Sequence, residues 1–159
     1  NLAGLKCAQL ILSNDADAAA WESFGRWAGH GTSTLGVVAN TAAFTEGGPW
    51  LEDVLAYLDG NRRRLSELVA EHLPLARMTM PEGTYIAFID LRAYGLEGDL
   101  GEWFREHAAV AMTDGAACGE AGVGHVRFVF ALPRPLLEEA VIRIARALHP
   151  VESVATTDG

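Results

Sequence analysis

Cysteine, lysine and long apolar runs are all scarce in this sequence, and each scarcity removes a class of function. The only cysteines, Cys7 and Cys118, lie far apart with no CxxC pair, which predicts two free thiols in a reducing cytoplasm. The histidines at 30, 72, 107, 125 and 149 are scattered and give no metal-ligand spacing. No apolar run reaches the roughly 18 residues of a membrane helix, and no basic segment precedes an apolar one as in an export signal. Basic residues are outnumbered, 12 Lys and Arg against 21 Asp and Glu, for a net charge of −9. A nucleic-acid surface, which needs clustered Lys and Arg, is therefore not expected.

What is present is a chain of 159 residues, half of them hydrophobic, enough for one good core or two small ones. It opens on Asn1, without a methionine, straight into LAGLKCAQLILS, as expected of a piece of a larger protein. Residues 4 to 13 are short and apolar on both faces, which predicts a strand buried on both sides, although periodicity alone leaves a helix open. Asn14 and Asp15 can cap a helix reaching about His30, with Trp21, Phe24 and Trp27 on one stripe. GHGTST ends it, and an Ala- and Val-rich helix follows over about 33 to 45. GGPW then starts a long helix, about 49 to 73, because Pro49 loses nothing at a first helical turn. Its apolar positions include Leu51, Leu55, Leu58, Leu65, Leu68 and Val69. Arg62, Arg63 and Arg64 read as a mostly solvated face, and Pro74 ends the helix. The tryptophans at 21, 27, 50 and 103 read as core.

Beyond Pro74 the pattern shortens to strands near 76 to 79, 84 to 91, 109 to 112 and 125 to 131, with a helix at about 98 to 107. Pro133 and Pro135 introduce a last amphipathic helix whose stripe is Leu136, Leu137, Ala140, Val141, Ile144, Ala145 and Leu148. The expected organisation is a helical part over 1–74, a small α+β domain over 75–150, and a tail over 151–159.

One stretch poses a chemical question. In GEAGVGHVRFVF (119 to 130), Val126, Phe128 and Phe130 alternate with His125, Arg127 and Val129, so the run is a strand with Arg127 in its middle. A guanidinium there serves either a surface salt bridge or a ligand carboxylate, which it grips in two parallel hydrogen bonds. The glycine-rich loop before it lacks the GK[ST] ending of a phosphate cradle and reads as a flexible connection. Cys118 within it reads as an inert, partly buried thiol rather than a reactive one. Asp90 reads as a turn-forming or capping residue.

Four motifs in order, NLAGLK, EGGPWLEDVLAYLDGNR, MPEGTYIAFIDLR and DGAACGEAGVGHVRFVFALPRPLLEEAVIRI, resemble the end of a fold-type I enzyme dependent on pyridoxal 5′-phosphate (PLP). The resemblance is to the MalY/PatB group, the cystathionine β-lyase-like C–S lyases also labelled class I/II aminotransferases, and covers residues 1 to about 148. It implies an α/β fold: a remnant of the three-layer αβα large domain, then the small α+β C-terminal domain. It places the Schiff-base lysine three residues before Asn1. Lys6, the sole lysine, falls outside that motif, so the chain alone is expected to be inactive. The resemblance further implies Arg127 as the substrate-carboxylate anchor, Tyr85 and Gly83 at the substrate entrance, and Asn1 near the cofactor phosphate. GHGTSTLG would approach the cofactor phosphate of a partner subunit in a homodimer. An aromatic residue commonly stands where this chain has Cys118, which alters the expected pocket.

The reaction so implied is β-elimination from a sulfur amino acid, in a cytoplasmic enzyme with small amino-acid substrates. A PLP-dependent aminotransferase has the same parts and is the alternative. A non-catalytic α+β module that binds amino acids or mediates dimerisation is the second.

Overall fold

A computed structural model describes residues 2–149, except for the side chain of Arg26. The chain divides into two compact units, Asn1–Val54 and Leu55–Gly159.

The first unit is helical. Asn14 caps α1 (Asp15–Ala28), its side chain accepting from the backbone N–H of Asp17. Ser33 does the same for α2 (Thr34–Glu46), accepting from Gly36. These polar caps satisfy backbone donors that a helix start leaves bare. A third helix, α3 (Gly48–His72), begins at GGPW as expected and runs on into the second unit. The strand expected over 4 to 13 is not formed. Ala3–Leu5 make a 3-10 turn closed by Lys6 at φ 54°, and residues 6 to 13 have no regular structure. A strand is held by ladder partners, and the described residues offer this segment none. It is tied down instead by three contacts to α2 and its cap. Ser33 N–H donates to the Lys6 carbonyl at 3.1 Å, the Gln9 amide donates to Asn40 at 3.2 Å, and Asn40 donates to the Cys7 sulfur at 3.5 Å. Gly36 has no side chain because the Leu5 carbonyl lies 2.3 Å from where its Cβ would be.

Several apolar residues expected in the core are on the surface. Trp27 is 81 % exposed, Trp50 59 % and Phe24 58 %, and Leu51 and Leu55 on the first half of α3 are open as well. A helical stripe is buried only where something covers it, and within each unit nothing does.

The second unit is a four-stranded antiparallel sheet with helices over one face. Its strands are β1 (Arg77–Met78), β2 (Ile86–Asp90), β3 (Thr113–Asp114) and β4 (His125–Val129), in the order β1-β2-β4-β3. The third strand falls four residues later than expected. The helix before it, α4 (Leu100–Ala108), ends on Ala109 in the left-handed conformation at φ 52°, which turns the chain out of strand geometry. The last helix, α5 (Arg134–Leu148), buries Leu137, Val141 and Ile144, while Leu136 from the expected stripe is exposed.

The alternation read from the sequence holds along β4. Val126, Phe128 and Phe130 join Ala87, Ile89, Leu65, Leu68 and Phe104 in a core in which Phe104 and Phe130 are wholly buried. Each such aromatic contributes about 1.5 to 3 kcal/mol of burial. The opposite face carries His125, Arg127 and Val129, paired with Asp90, Phe88 and Ile86 of β2. That face lacks a helical cover within its unit: Phe88 is 39 % and Val129 41 % exposed. Among the described residues no helix is long and apolar enough to cross a membrane, and no His, Cys, Asp and Glu cluster could hold a metal.

Candidate functional site

Arg127 lies at the centre of β4, flanked in register by Phe88 and by Thr113 of β3. It is half-buried. Its guanidinium makes no ion pair among the described residues, although Arg62, Arg63, Arg64, Arg92 and Arg143 all pair with carboxylates. Beside it opens a cleft of about 280 Å³ lined by Val110, Met112, Thr113, Val129 and Leu132. A charge this far out of water wants an anion. No carboxylate among the described residues pairs with it, so the surface salt bridge weighed from the sequence is not found there.

The loop before β4 is a closed structure rather than a flexible link. Two 3-10 turns, Gly115–Cys118 and Glu120–Gly122, bring its ends together. Gly115 and Gly122 touch back to back: a Cβ on Gly122 would lie 2.0 Å from the Gly115 carbonyl oxygen. Cys118 is exposed rather than partly buried.

The other sequence-level candidates do not converge on the Arg127 cleft. Gly83 borders a separate cleft of about 190 Å³ with Asp59, Arg62 and Thr84. Beyond its chain neighbours, no atom of the described residues comes within 4 Å of where a Gly83 side chain would start, and the positive φ falls on Thr84. Tyr85 is half exposed at the sheet end, its carbonyl accepting from Phe130 N–H at 2.9 Å. Asn1 lies outside the described residues. Lys6 is exposed rather than buried in a strand, beside a cleft of about 730 Å³ with Cys7, Trp21, Gly29, Gly31 and Thr32.

Sequence reasoning missed the polar support beneath β4. Asn61 of α3 is completely buried. Its amide donates to the carbonyls of Phe130 at 3.0 Å and Leu132 at 2.7 Å, while its oxygen accepts from Arg134 Nε at 3.2 Å. The Tyr57 hydroxyl accepts from Arg134 N–H at 2.8 Å, and the Arg134 guanidinium lies over the Tyr57 ring. Gly60 leaves room for it, since a Cβ there would lie 2.5 Å from Arg134 Nη2. The signal was legible: Asn61 interrupts the apolar spacing of Leu58, Leu65 and Leu68. Nor are the three arginines of α3 simply a solvated face. Arg62 pairs with Asp59 and donates to the Pro81 carbonyl at 2.9 Å, and Arg64 reaches Glu138 of α5 at 2.7 Å.

At the end of β2, Asp90 turns the chain as expected, accepting from Arg92 N–H at 3.0 Å and from Nε and Nη2 of its guanidinium at 2.9 and 2.7 Å. These hydrogen bonds hold the Asp90 carboxyl well below the usual carboxylate range. A depressed folded-state pKa gives stability that is present above the unfolded value, near 3.9, and lost as pH falls toward the folded one. Acidification from pH 5 to pH 2 is therefore expected to lower the melting temperature of wild type more than that of Asp90→Asn; equal drops in parallel thermal melts would contradict this.

No family model matches the chain. A Mycobacterium tuberculosis protein, provisionally named a cystathionine beta-lyase, is 43% identical over 93% of this chain and 40% of its own length. MalY of Escherichia coli is 30% identical over 95% of this chain and 40% of its own. The chain matches the C-terminal part of the MalY/PatB-like family. Solved structures agree. A protein from Corynebacterium diphtheriae, provisionally assigned as a PLP-dependent beta-cystathionase, superposes with a TM-score of 0.86 at 43% identity, over 93% of this chain and 39% of its own. The PLP-bound C-S lyase from Staphylococcus hominis gives 0.82 at 29% identity, over 93% and 38%. The chain thus has the fold of part of the PLP-dependent fold-type I enzymes. It spans about two fifths of the length of the curated relatives it matches.

Proposed function

We propose that the intact protein is a PLP-dependent enzyme that performs β-elimination on a sulfur amino acid, with Arg127 gripping the substrate carboxylate. The observation that carries this reading is the half-buried guanidinium of Arg127 beside an open cleft, without an ion pair among the described residues. A carboxylate accepts two parallel hydrogen bonds from such a fork, which fixes the direction of the α-carbon. PLP, when bound, supplies the electron sink that lets a bond at that carbon break.

This chain's part is to bind and orient. Thr113 and Phe88 flank Arg127 on the neighbouring strands, and the apolar side chains of the cleft exclude water from the ion pair, strengthening it. The second unit contains no lysine. The exposed Lys6 is not assigned to the cofactor; the covalent attachment belongs to the lysine that the family motif puts before Asn1. The segment Gly29–Thr32, beside the cleft at Lys6, is assigned toward the cofactor phosphate of a partner subunit, and Asn1 toward the cofactor phosphate. Gly83 and Tyr85 are assigned to the substrate entrance. Two free thiols support a cytoplasmic protein, and the uncovered Phe24, Trp27 and Phe44 of the first unit support a homodimer.

An aminotransferase would use the same carboxylate grip, so products decide. Supplied with S-methyl-L-cysteine, the PLP-loaded intact protein is expected to release methanethiol, pyruvate and ammonia in equal amounts. A keto acid that retains its sulfur, formed only with an amino acceptor, would replace this reading with the aminotransferase. If no product forms from any sulfur amino acid, the non-catalytic module stands.

A further inference from the structure

We propose that Arg62 is a positioning residue for the substrate entrance, acting through the hairpin tip that leads into Tyr85. The inference rests on the reading that assigns Tyr85 to that entrance.

The tip joins β1 to β2, whose ladder stops at the pair Met78–Ile89. Three steps further in the same register Pro81 would face Ile86, and Pro81 has no N–H with which to continue the ladder. Each backbone group left over finds a side chain instead. The Pro81 carbonyl accepts from Arg62 Nη1 at 2.9 Å, and Ile86 N–H donates to Thr84 Oγ1 at 3.2 Å. Among the described residues, 80 to 84 make no backbone–backbone hydrogen bond, and for 80 to 83 the Arg62 contact is the one hydrogen bond of any kind. Packing does not replace those bonds: Glu82, Gly83 and Thr84 are exposed and border the 190 Å³ cleft against Leu55, Leu58 and Asp59 of α3.

The tip is also strained. Thr84 has φ 61°, a conformation that a β-branched residue keeps only when its surroundings hold it there. Gly83 beside it could adopt a positive φ freely, yet does not. Two fixed points bracket the strained residue: Arg62 at the Pro81 carbonyl, and Phe130 N–H, which donates to the Tyr85 carbonyl at 2.9 Å. Releasing the first lets Thr84 relax toward negative φ, which redirects the tyrosine that follows it. Tyr85 stands about 11 Å from Arg127 between Cα atoms at ordinary sheet spacings, so a turn of its long side chain changes access to the guanidinium. Arg62 is itself aimed. Its Nε donates to Asp59 Oδ1 at 3.0 Å and its Nη2 pairs with the same oxygen, which leaves Nη1 for Pro81. A planar fork serves two partners in fixed directions, as an ammonium group cannot. Asp59 also pairs with Arg63 at 2.9 Å, so replacing Arg62 strands no charge.

The test is a double-mutant cycle in the PLP-loaded intact protein with S-methyl-L-cysteine. Arg62→Lys keeps a charge beside Asp59 but gives up the fixed reach to Pro81. Its KM is expected to rise about threefold to tenfold, the size of one lost hydrogen bond, with kcat and melting temperature little changed. Thr84→Asn lowers the strain, because Asn enters the left-handed region readily and its Oδ1 can accept from Ile86 N–H. In that background Arg62→Lys should raise KM by less than about twofold. Equal KM effects in the two backgrounds, or a lowered melting temperature with KM unchanged, would overturn the positioning role. Amide exchange at Ile86 reads the tip without turnover: Arg62→Lys should speed it severalfold and leave Phe130 slow. Faster exchange in a protein that turns over no sulfur amino acid would retain the tie and end the proposed reaction. Unchanged exchange would end the tie whatever the turnover.

Discussion

Replacing Arg127 by Ala in the PLP-loaded intact protein is expected to lower kcat/KM by about tenfold to a hundredfold or more, with little change in melting temperature. The size follows from losing a charge-assisted hydrogen-bonded contact, roughly 1.5 to 3 kcal/mol. The insensitivity of the fold follows from the structure: Arg127 has no ion-pair partner among the described residues, and its strand is held by backbone bonds and by Phe128 and Val126 beneath. Arg127→Lys is the sharper variant. It keeps the charge but not the planar fork, so most of the loss should remain. PLP absorbance should be unaffected in both variants, since the contact is to substrate. Normal kinetics with a lowered melting temperature would remove Arg127 from the site.

Asn61→Leu is expected to have the largest effect on stability, on the order of 3 kcal/mol. Leucine keeps the branched outline of Asn61 in a larger side chain; it strands the buried Phe130 carbonyl, whose side-chain partner is the Asn61 amide, and leaves the Leu132 carbonyl to the Tyr57 hydroxyl at 3.4 Å. An unmade hydrogen bond at a buried acceptor costs more than the bond itself contributes. Asn61→Asp should be no better, because it turns a donor into an acceptor facing the same two carbonyls. Denaturant unfolding measures both. A change below about 0.5 kcal/mol for either would show that water or neighbouring groups replace the amide.

The helices and the Arg127 strand were legible because their signals are local. Asn14, Ser33 and Pro49 mark helix starts by chemistry that acts within one turn, and the alternation from His125 to Phe130 survives any packing that covers one face. What failed was non-local. Residues 4 to 13 carry a strand's composition, yet strand formation depends on partners that no local pattern supplies. Trp27 and Trp50 lie on helical stripes, but a stripe does not say whether its cover lies within the same unit. The third strand was displaced by Ala109, a non-glycine residue in a left-handed turn that composition does not announce. At the site, Arg127 stood out because a charge in an apolar strand is anomalous by itself. Asn61 was equally anomalous in an apolar helix, but its meaning rests on the carbonyls of residues some seventy positions away.

The latching of β4 has a consequence for how mutations can be absorbed. Beyond one end of the strand, Leu91 N–H holds the Gly124 carbonyl at 2.9 Å; beyond the other, Asn61 grasps two carbonyls spaced two residues apart. A shift by a single residue would exchange the two faces, driving Arg127 into the hydrophobic interior and Phe128 into solvent. The double latch makes sliding an all-or-nothing event, so drift along this strand proceeds by substitution in place. Insertions and deletions are confined to the segments outside the clasps, where loop length can change without moving the guanidinium.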